Sequence, residues 1–317
     1  MSPRALILAL AFALCAQAQI PWAPITWQSA TLGGKTVHAV LLVELHLDGV
    51  KPPVLMQLDT GCDTDLIYGI SYDQFSSLPP RDGRNQIPLS GNLAGTRFHR
   101  EPFYVRGDAG ISWIMRTLQS LSQRLDLYKG KPILFGTIGA AFLEHRILLL
   151  DFVRQRIAIL PKGDELPATA IAHIAFTPLE YRDRKMFLRL TLAGEERRDL
   201  AFDTGSSALP IATTQTRWLA WTGRRPDDPR NLVMFAKSWD NQVRLVGAPL
   251  KGDLCVGAAC LPAPLAFFET TGLATSDFDR YPFKIAGLIG NRLFEGRYTV
   301  MIDLAHRRLG LYPGSLE

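Results

Sequence analysis

The chain carries one long pattern twice. The first copy begins with LLVELHLDGVKPPVLMQLDTG (41–61) and the second with MFLRLTLAGEERRDLAFDTG (186–205). Each has an alternating strand, a turn that contains glycine, and a second strand that leads directly into Asp-Thr-Gly. Because the elements recur in the same order, we expect two similar units rather than one irregular domain.

The later part of the pattern is duplicated as well. FGTIGAAFL (135–143) corresponds to AGLIGNRLF (286–294), and the segments RILLLDFVRQRIAILP (146–161) and RYTVMIDLAHRRLGLYP (297–313) both predict a closing hairpin. In each hairpin an apolar run reaches an aspartate, and an arginine follows five positions later. The two units span about 24–163 and 172–315, with a polar linker over 164–171 that contains proline.

Strand patterns outnumber helical ones in both units. The best helical candidates are 71–78, 112–125 and 213–223. We therefore predict an all-β protein with two similar β-barrel-like lobes and a cleft between them.

The N-terminus has the features of a secretory signal peptide. A short basic start is followed by ten apolar residues (5–14) and by the small-residue cleavage motif Ala-Gln-Ala. We expect cleavage after Ala18 and export to the periplasm or the medium, without stable membrane insertion. An uncleaved N-terminal anchor is the alternative.

Cysteine use and charge narrow the possible functions. In an oxidising compartment, CVGAAC predicts a disulfide between Cys255 and Cys260, and two unpaired thiols are the alternative. The net charge of +5 is spread along the chain without a basic cluster, so we expect no nucleic-acid partner. No motif with metal-ligand spacing is present, and we expect neither a metal nor another cofactor.

The two Asp-Thr-Gly tripeptides are the strongest chemical signal. One such tripeptide is ordinary turn chemistry, but here both follow apolar strands at matching places in two related units. Two-fold related units would bring Asp59 and Asp203 face to face. Two close carboxyls share one proton, which provides an acid and a base together.

On these motifs the chain resembles pepsin-like aspartic peptidases over both halves. The resemblance implies that Asp59 and Asp203 are catalytic and hold a nucleophilic water. It implies that Thr60 and Thr204 bond across the loops, that Gly61 and Gly205 permit close approach, and that each apolar Gly-x-Ile-Gly-type element crosses behind its own loop. The short segment before Asp59 indicates a bacterial-type exported member without a long pro-segment.

The chain departs from the family pattern in two places. The family commonly has a hydroxyl residue after each Asp-Thr-Gly that bonds the outer carboxylate oxygen. Ser206 keeps it, whereas Cys62, a weaker donor, replaces it in the first loop. Cys62 is either a small buried residue without a special role or a redox switch. Tyr104 is the candidate for the covering flap, although an exposed strand position is equally consistent with the sequence.

The sequence thus predicts an exported, monomeric aspartic endopeptidase that acts on a peptide or protein substrate. The alternative is a catalytically silent pepsin-like fold that binds a protein or a carbohydrate. The altered first loop and the unfamiliar flap favour that alternative, and the presence of both aspartates favours the enzyme.

Overall fold

The computed structural model describes residues 20–32, 34–73, 75–106, 134–161, 166, 171–238, 241–270 and 284–316. The expected signal peptide (1–18), the helical candidate 112–125 and most of the expected linker 164–171 lie outside these residues. No helix in the described part of the chain is both long and apolar enough to span a membrane.

The described residues of the first half are mostly strands. Its strands are β1 (Ala23–Pro24), β2 (Thr26–Leu32), β3 (Lys35–Leu47), β4 (Val54–Leu58), β5 (Leu66–Tyr68), β6 (Gln86–Leu93), β7 (Thr96–Arg106), β8 (Leu134–Ile138), β9 (Arg146–Asp151) and β10 (Arg156–Pro161). Two short helices, α1 (Gly69–Tyr72) and α2 (Ala140–Leu143), follow β5 and β8.

The second half repeats this composition. Its strands are β11 (Ala175–Arg182), β12 (Lys185–Leu192), β13 (Glu195–Phe202), β14 (Ile211–Thr213), β15 (Leu232–Ser238), β16 (Asn241–Pro249), β17 (Leu254–Val256), β18 (Ala259–Leu261), β19 (Leu265–Glu269), β20 (Gly287–Ile289), β21 (Tyr298–Asp303) and β22 (Arg308–Pro313). Helix α3 (Gln215–Thr222) fulfils the third helical prediction, and Asn291–Leu293 forms a 3₁₀ turn. Thr214 caps the start of α3, and Gly223 ends it in the left-handed conformation (φ 65°).

The two halves have the same strand order. In the first, the order is β3-β4-β8-β5-β7-β6, and β6 also pairs with β3 to close the sheet. In the second, the order is β12-β13-β20-β14-β19-β16, with the same sequence of parallel and antiparallel pairings. The predicted all-β fold with two similar pepsin-like lobes is therefore confirmed.

In each half, a strand that comes later in the chain lies between the strand before Asp-Thr-Gly and the strand after it. Strand β8 lies between β4, to which it is parallel, and β5, to which it is antiparallel. Strand β20 lies between β13 and β14 in the same way. The chain leaves β4 or β13, turns through Asp-Thr-Gly, and returns on the far side of the later strand. This is the ψ-shaped crossing that the resemblance implies.

The two closing hairpins join the halves. Strands β9 and β10 pair as predicted, as do β21 and β22, and β9 also pairs directly with β21. One buried apolar cluster contains side chains of both halves, including Leu58 and Phe202 just before the two Asp-Thr-Gly tripeptides. The halves consequently share a core as well as a sheet.

An ion pair explains the duplicated Asp and Arg of these hairpins. Asp151 is fully buried, bonds the Arg156 guanidinium at 2.8 Å, and accepts the amides of Val153 and Arg154 in the turn. Buried Asp303 bonds Arg308 at 2.9 Å in the same geometry. Each aspartate thus fixes the turn and the register of its hairpin.

We predict that Asp151→Asn lowers the free energy of unfolding by about 3 kcal/mol, because it leaves the Arg156 charge without its buried partner. Urea denaturation measures this loss. The control is Asp73→Asn, which removes an ion-paired carboxylate whose side chain is 67% exposed, and it should cost less than about 1 kcal/mol. Equal losses in the two variants would contradict the assigned role of Asp151.

Candidate active site

Two equivalent loops form the centre of the molecule. The first DTG loop (59–61) follows β4 and the second (203–205) follows β13. The amide of Asp59 donates to the carbonyl of Ile138 at 2.9 Å, and the amide of Asp203 donates to that of Ile289 at the same distance. Each aspartate is therefore fixed to the crossing strand of its own lobe.

Thr60 and Thr204 connect the loops through four reciprocal hydrogen bonds. The Thr60 hydroxyl donates to the carbonyl of Phe202 (3.1 Å) and accepts the amide of Thr204 (3.0 Å). The Thr204 hydroxyl donates to the carbonyl of Leu58 (2.9 Å) and accepts the amide of Thr60 (2.9 Å). Both threonines are fully buried, so these bonds satisfy groups that water cannot reach.

Gly61 and Gly205 let each loop approach the opposite carboxyl. A methyl group on Gly61 would lie 2.6 Å from Oδ1 of Asp203, and one on Gly205 would lie 2.5 Å from Oδ1 of Asp59. Real Cβ atoms essentially never come so close to another heavy atom. The same glycines donate their amides to Oδ1 of the aspartate in their own loop, at 2.9 and 2.8 Å. Glycine is thus required here for space.

The two carboxyls face the opposite loops and influence each other. The Asp59 carboxyl lies against Gly205, and the Asp203 carboxyl lies against Gly61. Desolvation raises the pKa of both above the usual aspartate value, and for Asp59 the neighbouring negative charge of Asp203 raises it further. Because two charges cannot be held side by side in a poorly solvated site, one proton is shared over a wide pH range.

A lysine that sequence reasoning missed reaches this site. Lys185 begins β12 in the second lobe, and its ammonium contacts the carbonyl of Gly61 and the carboxylate of Asp63 in the first. Its side chain is 5% exposed, whereas that of Asp63 is 48% exposed. In the sequence, Lys185 stands just before an apolar strand, where a lysine is an ordinary solvated turn residue. Only the packing of the lobes brings it to the first DTG loop.

Cys62 does not take the place of the expected hydroxyl donor. Its thiol donates to the carbonyl of Thr64 (3.2 Å), and its own carbonyl accepts the amide of Ala140 (2.9 Å). The cysteine is unpaired, and burial raises its pKa to about 11. The thiol is therefore protonated at neutral pH and is directed to the backbone rather than to Asp59.

Ser206 also differs from the expectation. Its amide donates to the carbonyl of Asp203 (3.1 Å), but the described residues contain no hydrogen bond between its hydroxyl and that carboxyl. The hydroxyl of the next residue, Ser207, instead donates to the carbonyl of Thr204 (2.7 Å). The side-chain amide of Asn291 donates to the Thr204 carbonyl (2.9 Å) and to the Ser207 hydroxyl (2.8 Å). Ser207 and Asn291 thus support the second DTG loop, and no spacing rule in the sequence indicates them.

The flap expectation for Tyr104 needs correction. The residue lies inside β7, paired with Leu66 of β5 on one side and Gln86 of β6 on the other. The turn of the β6–β7 hairpin lies at Ala94 and Gly95, well before it. Tyr104 is 38% exposed and so occupies the exposed strand position that the sequence left open. A strand paired along both edges cannot fold over a cleft as a hairpin tip does.

A further buried acid adjoins the first DTG loop. Asp65 accepts the amide of Gly139 at 2.8 Å, and burial raises its pKa to about 7. Glu101 raises that pKa further, and Arg146 lowers it. Asp65 lines a cavity of about 460 Å³ together with Tyr104. No motif in the sequence indicates Asp65, because its burial follows from the pairing of β5 with β8.

The predicted disulfide is present. Cys255 and Cys260 are bonded across the short β17–β18 hairpin. In the described ranges, no group of three or more His, Cys, Asp or Glu side chains is arranged to hold a metal ion.

Two solved structures resemble the fold of this chain at low sequence identity. No protein-family model and no curated protein matches the chain. The crystal structure of basic 7S globulin from soybean matches at 11% identity over 94% of this chain and 96% of that chain, with a TM-score of 0.44. Conglutin gamma, a unique basic 7S globulin from lupine seeds, matches at 11% identity over 93% and 95%, with a TM-score of 0.47. Likenesses this distant carry no information about activity.

We predict that Thr204→Val destabilises the protein by about 2–6 kcal/mol, because the amide of Thr60 and the carbonyl of Leu58 are left buried and unpaired at about 1–3 kcal/mol each. Chemical denaturation monitored by tryptophan fluorescence gives the value. Thr36→Val on the exposed surface of β3 is the matched control, with an expected change within about 0.5 kcal/mol. A loss no larger than the control's would show that the reciprocal bonds contribute little.

The shifted pKa of Cys62 predicts slow thiol chemistry. A rise from 9.0 to about 11 leaves about 100-fold less thiolate at pH 8. The more basic thiolate is intrinsically more nucleophilic, so a disulfide reagent should react about 10-fold more slowly with the native chain than with the urea-unfolded one. Cys62→Ser identifies the signal of this thiol. Equal labelling rates in the native and unfolded chains would contradict the protonated state.

Proposed function

We propose that the protein is an aspartic endopeptidase in which Asp59 and Asp203 activate a water molecule. The observation that carries this proposal is the facing pair of coupled carboxyls, held by the reciprocal threonine bonds and by glycines that leave room for each acid. A carboxyl pair with one shared proton contains a base and an acid at the same place. Burying two acids together is costly, which a functional role for the pair would explain.

The first step would combine both functions of the pair. The ionised carboxyl takes a proton from water as the water oxygen bonds to the carbon of a peptide carbonyl. The protonated carboxyl gives its proton to the carbonyl oxygen. The product is a neutral tetrahedral diol, and the pair again holds one proton, now on the other carboxyl.

The second step would release the products. The protonated carboxyl delivers its proton to the peptide nitrogen, the carbon–nitrogen bond breaks, and a diol hydroxyl returns a proton to the ionised carboxyl. The amides of Gly61 and Gly205 hold one oxygen of each acid throughout, so the acids keep their geometry while the proton moves. No covalent enzyme intermediate and no cofactor takes part.

The substrate would be a peptide or protein, and the enzyme would act as an exported monomer. Both halves of the acid pair belong to one chain, so a second copy is not required to complete the site. The Cys255–Cys260 disulfide supports an oxidising compartment such as the periplasm or the medium.

A second candidate function is a silent fold that binds a protein or a carbohydrate. Two observations favour it. Neither the Cys62 thiol nor the Ser206 hydroxyl bonds its aspartate among the described residues, and Tyr104 is not on a covering hairpin. Such a protein would keep the acid pair as part of its architecture without turning over a substrate.

The test is cleavage of a quenched peptide library between pH 3 and 8. We predict activity with an optimum above pH 3.8, because burial raises the pKa of both carboxyls from that value and the active pair is singly ionised. Activity should rise as pH passes the lower apparent pKa of the pair and fall as it passes the upper one.

Asp203→Asn and Asp59→Asn should each reduce cleavage by at least about 10³-fold, since either change removes the acid and base pair. Asp73→Asn, on the exposed surface, should cleave as the parent does. Circular dichroism establishes that each variant is folded. A folded parent that cleaves nothing across this pH range would favour the binding module.

A further inference from the structure

Lys185 occupies a position that the pseudo-symmetry of the fold does not require. Phe187 of β12 pairs with Ala201, two residues before Asp203, and Leu42 of β3 pairs with Gln57, two residues before Asp59. The lysine, two residues before Phe187, therefore corresponds to Val40 in the first lobe. A positive charge is present at one of two related positions, so the acid pair lies in an asymmetric environment.

The contacts of Lys185 are made across the lobes. The residue is almost completely buried, and its ammonium contacts the Gly61 carbonyl of the first DTG loop. Gly61 is the residue whose Cα faces the Asp203 carboxyl and whose amide bonds Asp59. Fixing its carbonyl therefore orients the backbone that contacts both acids. A buried ammonium is costly, and the carboxylate of Asp63, which contacts it, is about half exposed.

The first loop also lacks the donor that a hydroxyl residue would supply after Gly61. The Cys62 thiol is directed to the Thr64 carbonyl, so it does not stabilise a negative charge on Asp59. A nearby cation can do so in its place, since an opposite charge favours the ionised form of a carboxyl.

We propose that Lys185 is a positioning residue that holds the first DTG loop and supplies the positive charge that stabilises the singly ionised Asp59–Asp203 pair. This inference deepens the proposed peptidase function and rests on it for its catalytic meaning. The contacts that support this role are those of the Lys185 ammonium with the Gly61 carbonyl and the Asp63 carboxylate. The lysine acts through the loop and through its charge.

The other titratable groups around the pair leave this effect visible. Burial raises the pKa of Cys62 to about 11 and that of the Tyr68 phenol to about 12, so both are neutral between pH 3 and 8. The charged groups beside the first loop include Lys185, Asp63 and Asp65, and burial raises the pKa of Asp65 to about 7. Asp65 is present in the parent and in every Lys185 variant, so comparing them isolates the effect of the lysine. The ammonium lowers the pKa of both paired acids against the larger effect of burial. Removing its charge must therefore raise those pKa values.

The experiment measures the apparent pKa values of the pair directly. Aspartate labelled with ¹³C at Cγ is titrated by NMR in the full chain, and the Asp59→Asn and Asp203→Asn variants identify the signals. Lys185→Gln keeps a donor of intermediate length but no charge, and Lys185→Arg keeps the charge. Lys284→Gln, at an exposed lysine of the same lobe, is the matched control.

We expect Lys185→Gln to raise both apparent pKa values by an amount on the order of one unit, and to move both limbs of the cleavage profile to higher pH by the same amount. Lys185→Arg and Lys284→Gln should leave them within a few tenths of a unit of the parent. A Gln variant with unshifted values and a uniformly lower kcat would reduce Lys185 to a structural contact and overturn the proposal.

A second measurement needs no substitution of Lys185. In the parent protein, the ¹⁵Nζ signal of Lys185 should change at the same pH as the pair, and that change should disappear in Asp203→Asn. Its absence overturns the proposal even if Lys185→Gln does not fold. The two hypotheses also fail separately: shifted pKa values without any cleavage refute the peptidase alone, whereas cleavage with unshifted values refutes the role of Lys185 alone.

Discussion

The reciprocal hydrogen bonds between Thr60 and Thr204 are the interaction on which the rest of the structure depends. They join two loops that are 144 positions apart in the chain, and they satisfy every polar group they involve inside a dry interface. With the loops fixed in this way, the carboxyls of Asp59 and Asp203 must face each other. The crossing strands β8 and β20 hold the loops from behind, because their carbonyls accept the amides of Asp59 and Asp203. The closing hairpins join the two halves through the pairing of β9 with β21.

Duplication accounts for the symmetry of the site, and packing accounts for its asymmetry. The two DTG loops have nearly equivalent backbones, and in each loop the glycine amide donates to the aspartate of that loop. The surroundings are different: Cys62 directs its thiol to the backbone in one lobe, Ser207 and Asn291 support the loop in the other, and Lys185 crosses from the second lobe to the first. Two acids with equivalent geometry and different environments are what a shared proton needs if it is to have a preferred direction of transfer. The chemistry proposed for the pair depends on both properties.

Much of the fold could be predicted because its signals are local. Each of these signals lies within about 20 residues: the alternating strands, the Asp and Arg spacing of the hairpins, the disulfide and the two Asp-Thr-Gly tripeptides. All except the disulfide occur in both halves, which strengthens the prediction. Tyr104, Lys185 and Asp65 were different. Their roles depend on which strand lies beside them after the chain has crossed itself, and no spacing in the sequence encodes that neighbour. The direction of the Cys62 thiol could not be predicted for the same reason. Its acceptor, the Thr64 carbonyl, is close in sequence, but the packing of the loop determines that the thiol bonds it.

The pairing of β9 with β21 links the two ends of the fold in time as well as in space. Synthesis proceeds from the N-terminus, so the strands of the first lobe are made long before β21. Until β21 is made, β9 lacks its neighbour from the second half, and the sheet that joins the halves is incomplete. A chain that stops before β13 holds Asp59 alone, and one carboxyl can neither share a proton with a second acid nor form the proposed pair. The facing acids therefore belong to the late stages of folding, after both halves have been made.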